Sequence, residues 1–226
     1  MSLPDHTALL IIDIQKPYLN PSRDVFNPCD IGGKALMRDI QQTVASLGPE
    51  TLVIYIVAEP DWCSSTWKGW TPKHLLPGKH DVKPRAIYDV PDDFIPPEAH
   101  IFSKPGSSAF PIDEEASAVH EGNLLHAFLQ KHGILNVIAL GLHTGTCVLE
   151  TARDAAKAGY KTDIAVNLCR DPSTFDNIDE REEWLLAKMA KQNIADVGII
   201  TLDASANIQP QRSYPTNPSQ LQTPAR

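Results

Sequence analysis

Short apolar runs alternate along this chain with segments in which apolar residues recur every three or four positions. The runs are rich in Val and Ile, which is typical of parallel strands buried on both faces. The periodicity between them is typical of helices that cover such a sheet. Strands are predicted at residues 7–12, 51–57, 100–104, 136–140, 161–167 and 197–202, and helices at residues 33–47, 121–132, 147–158 and 181–193. The pattern predicts an α/β fold: a three-layer α/β/α sandwich around a six-stranded, mostly parallel, Rossmann-like sheet.

Two segments depart from this alternation. Residues 59–100 contain three tryptophans and many prolines without a regular period, and so long an irregular segment is usually functional. We expect it to form a lid or substrate loop. Residues 208–226 are rich in Pro, Gln and Ser, and we expect a polar flexible tail or an arm lying on a neighbour. Residues 1–207 are predicted to form a single domain.

Composition narrows the function classes. The net charge of −8 and the lack of a basic cluster argue against a nucleic-acid partner. No stretch approaches the roughly 18 apolar residues of a membrane helix, and the opening residues do not resemble a secretory signal. We therefore expect a cytoplasmic protein without a membrane partner. The four cysteines show no CxxC spacing, so we expect free thiols.

Reactive side chains stand at the ends of three predicted strands. Asp13 follows the first strand, Lys104 ends the third, and Cys147 lies in the loop after the fourth. Because parallel sheets place their sites at the carboxyl ends of strands, these three residues are expected to converge. A thiol, a carboxylate and an amine on one rim are suited to nucleophilic catalysis.

Each of the three residues has a functional and a structural interpretation. Cys147 opens a predicted helix, where backbone N–H groups lower a thiol pKa below about 8.5 and can hold an oxyanion. It could equally be a small buried hydrophobic residue. Asp13 is favoured as a general base, with a cap or a metal ligand as alternatives. Lys104 has the alternative of a solvated loop lysine.

Three segments together resemble the isochorismatase-like cysteine hydrolases, a superfamily that includes nicotinamidases and N-carbamoylsarcosine amidohydrolases. They are Leu-Ile-Ile-Asp-Ile-Gln at 10–15, Lys-Pro-Gly-Ser-Ser-Ala-Phe at 104–110, and Gly-Leu-His-Thr-Gly-Thr-Cys-Val at 141–148, the last followed by Thr-Ala-Arg-Asp-Ala at 151–155 and a glycine at 159. Their order and separation fit the superfamily over about residues 6–204. The resemblance implies a sheet order of 3-2-1-4-5-6.

The resemblance also implies a role for each residue of a catalytic triad. Cys147 is expected to be the nucleophile that forms an acyl-enzyme. Asp13 is expected to take the thiol proton and pass it to the leaving amine, and Lys104 to stabilise and orient this pair. A non-proline cis peptide is expected at Leu142–His143. The backbone N–H groups of His143 and Cys147 are expected to form the oxyanion hole.

The sequence defines the substrate pocket and a candidate metal site less well than the triad. We expect Tyr18, Trp62, Phe110 and His143 to contact substrate. Similar nicotinamidases carry a metal on an Asp-x-His pair and two later histidines, where this chain has Asp61-Trp62-Cys63 with His74 and His80. This pattern departs from the superfamily, so we expect no metal at these residues, and no cofactor.

The combined prediction is a cysteine-dependent hydrolase that cleaves a C–N bond of a small amide, ureido or carbamoyl substrate through an acyl-enzyme on Cys147. The alternatives are a vinyl-ether hydrolase of the isochorismatase type, which would not need this thiol, and a non-catalytic partner-binding homologue. A cofactor-binding redox domain is disfavoured because no GxGxxG turn follows the first strand. The expected partner is a small-molecule amide substrate, and the resemblance implies a homo-oligomer, either a dimer or a tetramer.

Overall fold

The computed structural model describes residues 2–15, 33–58, 91, 94–104, 106–113, 118–119, 123–171, 175 and 177–209. Nine strands and four helices lie within these ranges. The strands are β1 Thr7–Ile12, β2 Leu52–Ala58, β3 His100–Lys104, β4 Ile112–Asp113, β5 Ala118–Val119, β6 Asn136–Leu142, β7 Lys161–Arg170, β8 Val197–Leu202 and β9 Ile208–Gln209. The helices are α1 Gly33–Ala45, α2 Leu124–Lys131, α3 Leu149–Lys157 and α4 Ile178–Lys191.

The main sheet has the order β3-β2-β1-β6-β7-β8-β9, and a separate hairpin pairs β4 with β5. The first six strands run parallel, while β9 pairs antiparallel with β8. The predicted α/β class and the order of the six parallel strands are confirmed. The seventh strand was not predicted, because two residues are too few to show an alternating pattern.

Strand register sets the position of the candidate residues. Ile12 pairs with Gly141 on one side and with Ile56 on the other. Ala58 pairs with Lys104, and Leu142 pairs with Arg170. The carboxyl ends of five strands therefore meet at one edge of the sheet, where open parallel sheets place their sites.

The central strands form the core. All six residues of β1 are buried, and β6 is buried along its whole length except at Asn136. Burial of each large aliphatic side chain stabilises the fold by roughly 1.5–3 kcal/mol. This well-packed centre gives the residues that follow β1 and β6 a rigid support.

Gly141 brings β6 close to β1 where the two strands end. Its φ is +114°, and a Cβ at this position would overlap the backbone of Ile12. The pairing of β6 with β7 shifts register between Ala139 and Gly141. Only glycine combines this backbone conformation with so close an approach.

The helix ends differ from the predictions by a few residues. The helix predicted at 147–158 is α3, and it is preceded by a π-helical turn over Thr144–Val148. The helix predicted at 181–193 begins earlier, because the Asn177 side chain accepts a hydrogen bond from Glu180 N at 2.9 Å and caps α4. No helix within the described ranges is long and apolar enough to cross a membrane.

The two irregular segments are described only in part. The first two residues of the predicted tail, Ile208 and Gln209, form β9, and residues 210–226 lie outside the described ranges. Within the predicted lid at 59–100, the structure describes residue 91 and residues 94–100. The side chains of Phe94 and Ile95 are buried, and Phe94 meets Tyr55 edge to face at 5.9 Å between ring centroids.

Candidate active site

A buried ion pair lies at the carboxyl edge of the sheet. Lys104 Nζ lies 3.0 Å from Asp13 Oδ2, and each side chain is 1% exposed. Burying charges is costly unless they are paired, so each group stabilises the charged form of the other. The structure thus brings together Asp13 and Lys104, which are separated by most of the first half of the chain.

Asp13 occupies an unusual backbone conformation. Its φ is +54°, a region that L-residues other than Asn and Asp seldom adopt. Its N–H donates to Ile56 O at 2.9 Å, and its carbonyl accepts from Gln15 N at 2.8 Å. The carboxylate oxygen Oδ1 accepts no hydrogen bond of regular geometry within the described part of the chain. The backbone turns sharply here and leaves one carboxylate oxygen with spare accepting capacity.

Gln15 fixes this turn and was not assigned a role from the sequence. Its side chain accepts from Ala58 N at 2.9 Å and donates to Ala58 O at 3.3 Å. The buried amide therefore extends the pairing of β1 with β2 beyond the last pair of strand residues. The signal available in the sequence was a polar residue two positions after Asp13, which does not reveal its partner.

Lys104 is held by its own loop as well as by Asp13. Its ammonium donates to Gly106 O at 2.8 Å. Burial lowers the pKa of Lys104, but its electrostatic interactions and hydrogen bonds with Asp13 and Cys147 outweigh that effect, so the net pKa is raised. Lys104 is therefore a charged, buried residue and not the solvated loop lysine of the alternative interpretation.

The loop after β3 is tied to α3, the helix that follows Cys147. Ala109 N donates to Thr151 Oγ1 at 3.2 Å, and Asn123 Nδ2 donates to Ala109 O at 2.9 Å. Both anchoring side chains were missed as functional candidates, because their partners lie far away in sequence. Together they link β3 to α2 and α3.

Cys147 is buried, with 3% of its surface exposed, and its thiol interacts electrostatically with both Asp13 and Lys104. Burial and the Asp13 carboxylate raise the pKa of Cys147 to about 12, although Lys104 acts in the opposite direction. The expectation of a lowered thiol pKa is therefore wrong for this structure. Desolvation of the thiolate outweighs the N–H groups of the turn that the sequence argument considered.

A cis peptide bond precedes the turn that carries Cys147. The bond between Leu142 and His143 is cis, as the resemblance implies. Within the turn, Thr146 N and Val148 N both donate to His143 O, at 3.1 and 3.2 Å. The oxyanion hole expected from the backbone N–H groups of His143 and Cys147 stays a prediction.

His143 is neutral at pH 7. Burial lowers the pKa of its imidazole, and Lys104 acts in the same direction, while Asp171 and Asp13 raise it less. A neutral imidazole beside the turn that carries Cys147 can donate one hydrogen bond and accept another without adding charge. Its expected contact with substrate stays a prediction.

Phe110 belongs to the packed interior. Its side chain is fully buried, and its ring lies 5.8 Å from the ring of Tyr160, centroid to centroid. The Tyr160 hydroxyl in turn lies 2.9 Å from His126 Nδ1. A packing role accounts for these contacts, and the expected substrate contact of Phe110 stays a prediction.

The other predicted residues lie outside the described ranges. They are the substrate candidates Tyr18 and Trp62 and the weighed metal ligands Asp61, Cys63, His74 and His80. In the part of the chain that the structure does describe, no group of three His, Cys, Asp or Glu residues is arranged to hold a metal ion. Cys169 is a buried free thiol on β7 whose Sγ donates to Ala165 O at 3.2 Å.

The fold agrees with what comparison with known proteins finds. A sequence model of the isochorismatase domain matches residues 7–198, most of the chain. The chain belongs to the isochorismatase family. It is therefore a hydrolase of that family, with the expected superfamily confirmed. A comparison with curated protein sequences finds no match.

Solved structures share the fold of this isochorismatase family member. PnC1 from L. infantum, solved in complex with nicotinate, is 21% identical with a TM-score of 0.60, over 91% of this chain and 97% of that one. A nicotinamidase pyrazinamidase from Acinetobacter baumanii is 22% identical with a TM-score of 0.59, over 88% and 98%. An isochorismatase-like hydrolase from Alkaliphilus metalliredigens is 18% identical with a TM-score of 0.57, over 86% and 94%. At these identities the similarity shows the fold.

Proposed function

We propose that this hydrolase cleaves a C–N bond of a small amide, ureido or carbamoyl compound through a covalent acyl-enzyme on Cys147. The observation that carries the proposal is the buried Lys104–Asp13 pair, with the Cys147 thiol in electrostatic contact with both members. A nucleophile, a proton acceptor and a fixed positive charge are the parts that acyl transfer requires.

The raised thiol pKa decides how the first step proceeds. At neutral pH the Cys147 sulfur carries its proton, so the proton must leave as the S–C bond forms. Asp13 accepts that proton in this scheme, and its Oδ1 has the accepting capacity to do so. The carbonyl electrons move to the substrate oxygen and give a tetrahedral oxyanion. Backbone N–H groups of His143 and Cys147 are proposed to stabilise this oxyanion.

The tetrahedral species then collapses. The C–N bond breaks, the proton held by Asp13 moves to the leaving nitrogen, and ammonia or an amine departs. A thioester on Cys147 remains. Lys104 keeps its positive charge throughout, because its raised pKa lies far above neutral pH. Its ammonium stays against the Asp13 carboxyl group while that group takes up and returns the proton.

Water completes the cycle through the same groups. A water molecule attacks the thioester carbon while Asp13 takes its proton. The C–S bond breaks, the proton returns from Asp13 to the Cys147 sulfur, and the carboxylic or carbamic acid leaves. Each step conserves protons without a cofactor.

The known structures support the amide class over the alternatives. Two of the similar proteins are described as a nicotinamidase pyrazinamidase and as a protein bound to nicotinate, the acid that corresponds to nicotinamide. A vinyl-ether hydrolase would not need the Cys147 thiol, whereas here that thiol lies against a buried base.

The test is ammonia release from a panel of small amides. The panel contains nicotinamide, N-carbamoyl amino acids, ureidoacrylate-like acids, biuret and oxamate, each with wild type, Cys147→Ala and Cys147→Ser. The matched control is Cys169→Ser, the same substitution at a second buried thiol. We expect wild type and Cys169→Ser to release ammonia and both Cys147 variants to be inactive.

Acid quenching during turnover, followed by mass spectrometry, would locate the acyl group on the peptide that contains Cys147. Full activity in Cys147→Ala would overturn the mechanism. Activity on a vinyl ether that survives in Cys147→Ala would favour the isochorismatase-type reaction instead. The single domain over residues 1–207, the homo-oligomer and the cytoplasmic location stay predictions.

A further inference from the structure

The backbone of Gly145 is held on two sides by side chains from distant parts of the chain. Its N–H donates to Asp171 Oδ2 at 3.1 Å, and a Cβ at this position would overlap the indole ring of Trp184. Gly145 lies within the π-helical turn, two residues before Cys147. Any movement of Gly145 is therefore passed directly to the nucleophile.

Asp171 reaches the turn from the neighbouring strand. It follows the last residue of β7, and that residue, Arg170, pairs in register with Leu142. The carboxylate thus bridges the ends of β7 and β6 beyond the last strand pair. A hydrogen bond to an ionised acceptor is about twice as strong as one between neutral groups. The charge of Asp171 also acts on His143, which places the carboxylate close to the start of the turn.

Trp184 packs where a side chain of residue 145 would lie, and it has contacts of its own. The Trp184 ring lies 5.2 Å from the ring of Phe175, centroid to centroid. Lys188 Nζ lies 5.2 Å from the Trp184 ring centroid, one helical turn further along α4. These contacts restrict the movement of the indole ring, so the ring limits how far the Gly145 backbone can shift towards it.

The proposed reaction requires the Cys147 sulfur to be placed accurately. The Cys147 sulfur must meet both the Asp13 carboxylate from β1 and the carbonyl carbon of the substrate, and small displacements of reacting groups slow such steps steeply. We propose that Asp171 and Trp184 are positioning residues that hold the Gly145 backbone and so keep Cys147 aligned for attack. This inference rests on the proposed function, since it concerns the same nucleophile.

The experiment compares paired variants of the full chain. Asp171→Ala removes the acceptor, whereas Asp171→Asn keeps a neutral carbonyl oxygen that can still accept from Gly145 N–H. Trp184→Ala removes the ring that packs against Gly145, whereas Trp184→Phe keeps a smaller aromatic ring. Asp196→Ala, which removes an exposed carboxylate just before β8, is the control. Values of kcat, KM and the melting temperature are measured on the best substrate of the panel.

We expect Asp171→Ala and Trp184→Ala to lower kcat by about 10- to 100-fold with KM little changed. Asp171→Asn should recover most of that loss, and Trp184→Phe less of its own, because the atoms that face Gly145 belong to the outer ring of the indole, which phenylalanine lacks. Asp196→Ala should match wild type. Wild-type kcat in Asp171→Ala would overturn the inference. So would equal loss in Asp171→Ala and Asp171→Asn at unchanged melting temperature.

A second readout needs no substrate. The rate at which iodoacetamide alkylates Cys147, followed on its own peptide by mass spectrometry, should rise in Asp171→Ala because a loosened turn exposes the buried thiol. An unchanged rate would count against positioning. If wild type hydrolyses nothing while this rate rises, the proposed function fails and the inference about the turn stands. If wild type is active and Asp171→Ala equals it in both assays, only the inference fails.

Discussion

Lys104 Nζ lies 3.0 Å from Asp13 Oδ2 in a region from which solvent is almost wholly excluded. Two charges in such a place depend on each other, because each would be costly to bury alone. The pair also faces Cys147, whose thiol can lose its proton only if the resulting charge is tolerated. The proposed catalysis and the stability of the fold therefore depend on the same contact.

Loss of Lys104 should destabilise the fold strongly. We expect Lys104→Met to lower the free energy of unfolding by about 3–5 kcal/mol, because the Asp13 charge is left buried without a partner. The double variant Asp13→Asn/Lys104→Met should recover much of this loss, since it buries no charge. Urea unfolding measures both. Glu150→Gln is the control: it removes one partner of the half-buried ion pair with Arg153 and should cost no more than about 1 kcal/mol. If Lys104→Met lowered the free energy of unfolding by less than about 1 kcal/mol, the prediction would be contradicted.

Cys147 should react slowly with alkylating agents at neutral pH and keep gaining reactivity in alkaline solution. Its pKa of about 12 means that the thiolate fraction rises tenfold per pH unit through pH 10, whereas an ordinary thiol levels off above its pKa of about 8.5. The measurement is the rate at which iodoacetamide alkylates Cys147 in the folded protein from pH 7 to pH 10. The modified peptide is quantified by mass spectrometry, and free cysteine is the reference. A plateau near pH 9 would show that the thiol is not desolvated as described.

The same raised pKa links the stability of the protein to pH. The folded protein holds the Cys147 proton more tightly than the unfolded chain, so the stabilisation is complete below about pH 8.5 and is lost as pH rises toward 12. Part of the alkaline loss of stability of wild type should therefore be absent in Cys147→Ser. Parallel losses in the two proteins between pH 8 and pH 10 would contradict this assignment.

Gln15 should matter to both stability and turnover. Gln15→Ala removes two hydrogen bonds to Ala58 and leaves buried backbone groups unpaired, which costs about 1–3 kcal/mol. Because the same side chain steadies the turn at Asp13, kcat should also fall. Gln130→Ala, at an exposed position of α2, is the matched control and should change neither value. Unchanged kcat in a folded Gln15→Ala variant would show that the position of Asp13 does not depend on the hydrogen bonds between Gln15 and Ala58.

Gly141→Ala should be far more damaging than Gly106→Ala. At Gly141 the new methyl group would meet the Ile12 backbone at a φ of +114°, whereas at Gly106 it would meet no atom of the described residues within 4 Å. We expect a loss of at least about 2 kcal/mol at Gly141, from backbone strain and overlap together. Gly106→Ala should stay within about 0.5 kcal/mol of wild type, because the added methyl group overlaps nothing in the described residues. Thermal unfolding monitored by circular dichroism measures both.

Several elements were predictable because their causes are local. The run Ala-Leu-Leu-Ile-Ile at 8–12 predicts a strand buried on both faces, and β1 is buried at every position. The end of that run at Asp13 placed a carboxylate at the sheet edge, and the same reasoning placed Lys104 at the end of β3. The two-residue strands and the π-helical turn were not predictable, since so few residues carry no periodic signal.

The sequence by itself determined which residues end the strands, and with them the convergence of a carboxylate, an amine and the Cys147 thiol. Only the tertiary structure decided the charge state of that thiol, because burial depends on every element packed around Cys147 and opposes the local effect of the turn. It also decided the partners of Gln15, Asp171 and Trp184. Hydrogen bonds and ring contacts between segments far apart in sequence produce no pattern within either segment, because the contacts form only once the whole chain has folded.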